Sequence, residues 1–217
     1  MIISIDGNIG AGKSELLEYL KRIVPDDASV DFFPEPVDEW HELFVKYIKN
    51  KKQYALPFTL EVLRQFGRIP RSRATHQIVE RSPLATSHVF NTILKNDDVL
   101  VPSDDTLIDS YITEYGWVPD VILFLDVDSS TCTDRVESRA REGEEAIGYE
   151  HLRAVEFYYD KLLASDHVKN IRIVRCKQAA SETKDAFHAR IGILVNDTLA
   201  RSPPDHEVQQ HRRHQNM

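Results

Sequence analysis

Gly7-Asn8-Ile9-Gly10-Ala11-Gly12-Lys13-Ser14 is the stretch on which the reading of this chain turns. It fills every fixed position of G-x-x-x-x-G-K-[ST], and both flanks suit it. Ile2 to Ile5 make a short apolar run before it, and Leu16, Leu17, Leu20 and Ile23 recur at helical spacing after it. The glycines let the backbone close around phosphate oxygens and aim successive N–H groups at them. A helix starting near Gly12 adds the positive end of its dipole. Lys13 is then placed to reach the β- and γ-phosphates of a triphosphate, and Ser14 Oγ to bind Mg²⁺. All eight residues are candidates for the phosphate cradle, but many enzyme classes share such a loop, and it names no acceptor.

Four further apolar runs follow, at Val30 to Phe33, Ile78-Val79, Val121 to Val127 and Ile171 to Val174. Between them lie segments of helical periodicity at 58–68, 83–95, 131–141 and 149–164. Short, continuously apolar strands alternating with helices predict an α/β fold: a five-stranded parallel sheet with helices on both faces. At 217 residues one domain is expected, over residues 1–200. Residues 201–217 are polar, carry Pro203-Pro204 with His206, His211 and His214, and read as a disordered tail.

The formal charge of −8 argues against a nucleic-acid polymer as partner, because phosphate backbones select basic surfaces. A small phosphorylated ligand needs only a local cluster of cations. Cys132 and Cys176 form no C-x-x-C pair, so free thiols in a reducing compartment are expected. No apolar run approaches the ~20 residues that span a bilayer, and the strand-like run from Ile2 leaves no room for a signal peptide. A cytoplasmic location is the expectation.

Three clusters carry candidate chemistry. Glu35-Pro36-Val37-Asp38-Glu39-Trp40 follows the second apolar run. If that strand adjoins the first, its carboxyl end opens on the ligand crevice, where Glu35 can take the proton of an attacking hydroxyl. The same residues also fit an exposed acid on a loop beside a core tryptophan. Glu80-Arg81-Ser82 ends the third run, either as a structural ion pair or as a Mg²⁺-side acid and a cation for the phosphoryl. Arg135 and Arg139 share a helix face, with Arg141 just beyond. Interleaved Asp134, Glu137 and Glu142 fit a solvated, salt-bridged helix. The arginines fit equally a lid that neutralises charge on a moving phosphoryl, with Gly143 and Gly148 bracketing a segment that can flex.

Taken in order, the phosphate loop, E-P-x-x-x-W at Glu35–Trp40, E-R-S at Glu80–Ser82 and R-x-x-x-R-x-R at Arg135–Arg141 resemble the deoxynucleoside kinase family. That family includes cellular deoxycytidine, deoxyguanosine and thymidine kinases, the insect multisubstrate enzyme and herpesviral thymidine kinases. The resemblance runs from Ile2 to about Leu163. It implies a P-loop NTPase fold with an arginine-bearing lid, and ATP-dependent, Mg²⁺-assisted phosphorylation of a deoxyribonucleoside 5′-hydroxyl. It implies a homodimer as well. Residue by residue, it makes Glu35 the general base with Arg81 beside it, and places Glu80 on the Mg²⁺ side. Lys13, Arg135, Arg139 and Arg141 would act on the phosphoryl group. Trp40 would line the sugar and base pocket, Phe90 would stack on the base, and Glu144 and Tyr47 would contact the 3′-hydroxyl.

One position departs from the pattern. The family reads the base with a glutamine in a run like P-F-Q-x-x-V-L, where this chain has Pro57-Phe58-Thr59-Leu60-Glu61-Val62-Leu63. Thr59 stands in the glutamine position; a two-residue shift of register would put Glu61 there, and Gln65, Arg64 or Arg68 are alternatives further along. The preferred base stays open. Two rival readings share the fold: a thymidylate-like nucleoside monophosphate kinase, and a catalytically silent kinase-like subunit. The second would lose Lys13, Ser14, Glu35 or Arg81 first, and all four are present.

Overall fold

A computed structural model describes residues 1–24 and 29–201. Its centre is a sheet of five parallel strands: β1 (Ile2–Gly7), β2 (Val30–Phe33), β3 (His76–Glu80), β4 (Val121–Leu125) and β5 (Arg172–Cys176), in the order β2-β3-β1-β4-β5. β3 and β4 are buried along their whole length. That is why Val121-Ile122-Leu123-Phe124-Leu125 shows no polar alternation: both faces of the strand meet helices. β4 stops two residues short of the apolar run, because Val127 N–H turns back to the Leu125 carbonyl.

Nine α-helices cover the described part of the sheet: α1 (Lys13–Ile23), α2 (Val37–Lys49), α3 (Lys51–Phe66), α4 (Pro83–Ala85), α5 (Asn91–Asn96), α6 (Pro102–Tyr115), α7 (Ser129–Arg139), α8 (Tyr149–Leu163) and α9 (Lys184–Ala200). Between α4 and α5 lies a π-helical turn, Thr86–Phe90, so that 83–96 is one continuous helical stretch with an inserted bulge. Against the sheet, Leu16, Leu17 and Leu20 of α1 meet Phe187, Ile191 and Val195 of α9 in one core. Val89 and Ile93 meet Val155, Tyr159 and Leu162 of α8 in another. A third core joins Tyr47, Leu63 and Phe66 to Ile108 of α6 and to Trp117. Each fully buried leucine or isoleucine contributes about 1.5–3 kcal/mol relative to exposure.

The register brings the carboxyl ends of three strands to one edge, with Ile5 opposite Glu80 and Gly7 opposite Leu125. The phosphate loop, Glu80-Arg81 and the start of α7 therefore share that edge, where open α/β sheets hold their ligands. β2 is an edge strand and pairs with β3, not with β1 as the reading of Glu35 assumed. Glu35 still reaches the crevice, because the chain runs on past Phe33 and Glu35 N–H donates to Glu80 Oε2 at 3.3 Å. The acid is not on a long loop: α2 begins two residues later and carries Trp40.

α3 starts well before the expected residue 58. The Asn50 side chain caps it by accepting from Gln53 N–H at 3.3 Å, and Pro57 is accommodated within it. Apart from Arg201, the expected C-terminal tail with its histidines lies outside the described residues. Among the described residues, no helix is long and apolar enough to cross a membrane.

Candidate active site

A cavity of about 770 Å³ opens at the carboxyl edge of the sheet, and most of the residues singled out above line it. Ile9, Gly10, Gly12, Lys13 and Ser14 form its phosphate-loop wall. Gly7, Asn8 and Ala11 shape that loop from behind; Asn8 Nδ2 donates to the Leu152 carbonyl of α8 at 2.8 Å, and its Oδ1 accepts from Ile9 N–H. Gly10 has φ +82°, and a Cβ there would stand 2.7 Å from the Cys132 carbonyl of α7. Only glycine lets the loop lie this close to that helix.

Lys13 Nζ donates to the carbonyls of Asn8, at 2.8 Å, and Gly7, at 3.3 Å. Burial and the nearby Arg81 pull its pKa down to about 8, against the opposing pull of Glu80 and Glu35. Ser14 Oγ donates to Glu80 Oε1 at 2.8 Å. A hydroxyl and a carboxylate are thus held side by side next to the phosphate loop, both with hard oxygen donors.

Arg81 is the hub of the site. Its Nε donates to Glu35 Oε1 at 3.2 Å, its Nη1 donates to the Tyr159 hydroxyl at 3.1 Å, and its guanidinium lies 4.9 Å from the centre of the Phe90 ring. Tyr159 OH in turn donates to Asp6 Oδ1 at 3.4 Å, and the same oxygen accepts from Ser82 N–H. The backbone at Arg81 has φ 69°, left-handed for a residue with a full side chain. Such a conformation costs about 1–2 kcal/mol, and these contacts hold it in place. Burial alone would raise the pKa of Glu35, but Arg81 and Lys13 outweigh it and keep the carboxyl below its ordinary value. Glu35 is therefore an ionised carboxylate that is free to accept a proton.

Beyond β4, Arg135 Nη1 donates to the carbonyls of Gly10, at 3.3 Å, and Ala11, at 3.4 Å. Arg139 grips Glu144 with two hydrogen bonds of 3.0 and 2.8 Å, and Arg141 approaches the same carboxylate at 3.5 Å. Arg141 is not on α7: Ala140, at φ 47°, ends the helix. Among the described ion pairs, Arg139 and Arg141 thus meet Glu144, beyond α7, and not the interleaved Asp134, Glu137 or Glu142 expected of a salt-bridged helix.

The opposite wall is aromatic. Phe58 packs against Trp40 at 5.4 Å, Phe44 at 5.6 Å and Tyr47 at 5.1 Å between ring centres. Burial, with Asp97 nearby, pushes the Tyr47 phenol up to about 12. Thr59 and Val62 continue this wall along α3, and Thr86, Phe90, Asn91 and Leu94 face it from the stretch around the π turn. Thr59 Oγ1 donates to Asn91 Oδ1 at 3.4 Å.

Glu61 is not brought into the cavity. It lies two positions past Thr59, so its side chain leaves α3 on another face, where Arg64 (2.7 and 2.8 Å) and Gln65 (2.6 Å) bind it. The alternative register is thereby corrected, and Arg64, Gln65 and Arg68 also lie outside the cavity. Asp6, Tyr159 and Asn91 are among the cavity or hub residues with no counterpart among the sequence candidates. Asp6 sits unobtrusively at the end of an apolar run. Tyr159 has the spacing of an ordinary core aromatic. Asn91 reaches the cavity through a bulge that no helical period predicts.

Comparison with known proteins shows the family and the fold. The deoxynucleoside kinase family model matches residues 3–196. A protein named as a kinase, 143R of Invertebrate iridescent virus 6, is 28% identical over 205 residues, covering 92% of this chain and 98% of its own. The thymidine kinase of Ictalurid herpesvirus 1 is 27% identical over 175 residues, covering 76% and 75%. Among solved structures, a deoxyadenosine kinase from M. mycoides with bound dCTP superposes with a TM-score of 0.74 at 22% identity, over 91% of this chain and 100% of that one, which shows a shared fold. The family model spans nearly all of the described residues, and the chain belongs to the deoxynucleoside kinase family.

Proposed function

We propose that this chain transfers the γ-phosphoryl group of ATP to the 5′-hydroxyl of a deoxyribonucleoside, with Glu35 as the general base. The observation that carries this reading is the Glu35 carboxylate, ionised and fixed by Arg81, standing between the phosphate loop and the aromatic wall. A nucleoside against Trp40, Tyr47 and Phe90 would present its hydroxyl to Glu35. The carboxylate takes the hydroxyl proton as the oxygen bonds to phosphorus and the bond from phosphorus to the bridging oxygen of ADP breaks. Arg81 keeps the base ionised beforehand and stabilises charge on the phosphoryl group.

Lys13 exchanges its two loop carbonyls for phosphate oxygens, which also restores the proton that burial weakens. Ser14 and Glu80 would hold Mg²⁺, which keeps few protein ligands and takes the rest of its oxygens from phosphates and water. The ion supplies charge neutralisation on the phosphates. Arg135, Arg139 and Arg141 neutralise the same charge from the lid side, and Glu144, already held by two of them, receives the 3′-hydroxyl together with Tyr47.

A monophosphate acceptor fits less well. It would bring a second phosphate to the carboxylates of Glu35 and Glu144, which favour a neutral hydroxyl partner instead. The reading includes a homodimer, checked by sedimentation, and a cytoplasmic setting, supported by two free, buried cysteines. Incubation with Mg-ATP and a panel of deoxynucleosides and their monophosphates tests the whole. The expected products are deoxynucleoside 5′-monophosphates, formed only while Mg²⁺ is present. No turnover of any nucleoside, or turnover of monophosphates alone, overturns it.

A further inference from the structure

Thr59 occupies the place where a glutamine amide would be expected to read the base, yet the cavity does contain a buried amide. It belongs to Asn91, and the chain delivers it by an unusual route. The π turn at Thr86–Phe90 adds a residue to the helical stretch, and both Phe90 and Asn91 line the cavity. Single π turns of this kind are frequent at functional sites.

Asn91 is 2% exposed and Thr59 3%, so each shows only a small part of its surface. A buried primary amide has two donors and an acceptor to satisfy. Thr59 engages Oδ1, and Asn91 Nδ2 has no hydrogen-bond partner among the described residues. The surrounding wall offers it little, since Val62, Ile93 and Leu94 are apolar and Phe90 turns toward Arg81. Asn91 lines the cavity, so a ligand there can pair with its amide nitrogen.

We propose that Asn91, brought into the cavity by the π turn and anchored by Thr59, reads the hydrogen-bonding edge of the nucleobase. This rests on the deoxynucleoside kinase reading above. The amide matches a base edge on which a donor and an acceptor are adjacent. Thr59 is a hydroxyl, which both donates and accepts, so it holds the amide in either orientation. With Thr59 donating to Oδ1, the amide offers N–H; rotated by half a turn, it offers its oxygen while Thr59 accepts from Nδ2. The pair therefore admits both amino-bearing bases and oxo-bearing bases. An acidic reader at 61, which only accepts, would not.

The test pairs a protein change with a substrate change. Wild type and Asn91→Leu are assayed with deoxycytidine and with its analogue lacking the 4-amino group, the 2-pyrimidinone deoxynucleoside. Wild type should favour deoxycytidine in kcat/KM by about tenfold, the worth of one buried hydrogen bond. In Asn91→Leu the two substrates should come within about twofold of each other, whatever the absolute loss. Asn91→Ser, a smaller polar residue, gives the same comparison if the leucine variant does not fold. A tenfold preference that survives in the variant overturns the assignment to Asn91. A wild-type preference beyond about a hundredfold between deoxycytidine and thymidine overturns the two-way anchoring by Thr59. Turnover of purine deoxynucleosides alone also overturns the two-way reading, whereas turnover of no deoxynucleoside in the wider panel would instead sink the kinase reading, which separates the two failures.

Discussion

Replacing Glu35 by Gln keeps the size of the side chain and one oxygen for Arg81 Nε, but removes the negative charge and the basic oxygen. A positioned general base contributes about 10²–10⁴ in rate, so kcat should fall at least about a hundredfold while KM for the nucleoside changes by less than about threefold. Stability follows a separate path. Glu35 Oε1 lies 3.2 Å from Arg81 Nε; at an effective dielectric of ~20 that attraction is about 5 kcal/mol. Desolvation offsets much of it, and Arg81 keeps Tyr159 and Phe90, so the net loss at neutral pH should be about 1–3 kcal/mol. Because the folded chain holds the Glu35 carboxyl below its ordinary value of 4.5, this contribution is complete above that value and is lost as pH falls below it. The gap between wild type and variant in urea unfolding should therefore be widest near neutrality and narrow on acidification. Steady-state kinetics near neutrality and urea titrations from about pH 7 down to about pH 2, the span over which a depressed carboxyl loses its contribution, measure both. An equal loss in kcat and in nucleoside affinity would show that Glu35 is only a pocket residue. A stability gap unchanged by pH would refute the ion pair.

Three further outcomes follow from the same geometry. Lys13 has a folded pKa of about 8 against an ordinary 10.5, so the unfolded chain holds a proton there that the folded chain has released. Unliganded wild type should therefore gain stability relative to Lys13→Met as pH rises through that window, and the variant should lose turnover by at least about a hundredfold. Gly10→Ala forces a Cβ against the Cys132 carbonyl at a left-handed φ, and should cost about 1–3 kcal/mol in thermal unfolding while weakening ATP binding. Glu144→Ala should raise KM about tenfold for nucleosides with a 3′-hydroxyl and spare 3′-deoxy analogues; equal damage to both would remove the sugar contact from Glu144.

The strands were legible because each is a short apolar run with punctuation at its end. The order of the strands was not, since nothing local in Val30 to Phe33 says whether β2 pairs with β1 or β3. α7 and α8 were legible from their period, whereas α6 and α9 were not. α6 fully buries only Ile108 and leaves Leu107 exposed, and α9 leaves Ile193 65% exposed opposite its buried face, which blurs the pattern. Within the site, residues inside contiguous motifs were found: the phosphate loop, Glu35, Glu80-Arg81 and the lid arginines. Asp6, Tyr159 and Asn91 act through contacts across the fold, and single residues at ordinary spacings carry no local mark of such contacts.

The close packing of the phosphate loop on α7 also limits which parts of the chain can change length. Gly10 lies against the Cys132 carbonyl, and Arg135 ties α7 to the loop's own carbonyls, so loop and helix form one body. Freedom begins only at Ala140 and Gly143, both with left-handed backbones, ahead of Gly148 and α8. An added or deleted residue inside α7 would rotate Arg135 and Arg139 off their partners and disturb the nucleotide seat. The same change between Ala140 and Gly148 would spare the contacts between loop and α7 but draw Glu144 away from Arg139. Related chains should accordingly keep α7 at constant length.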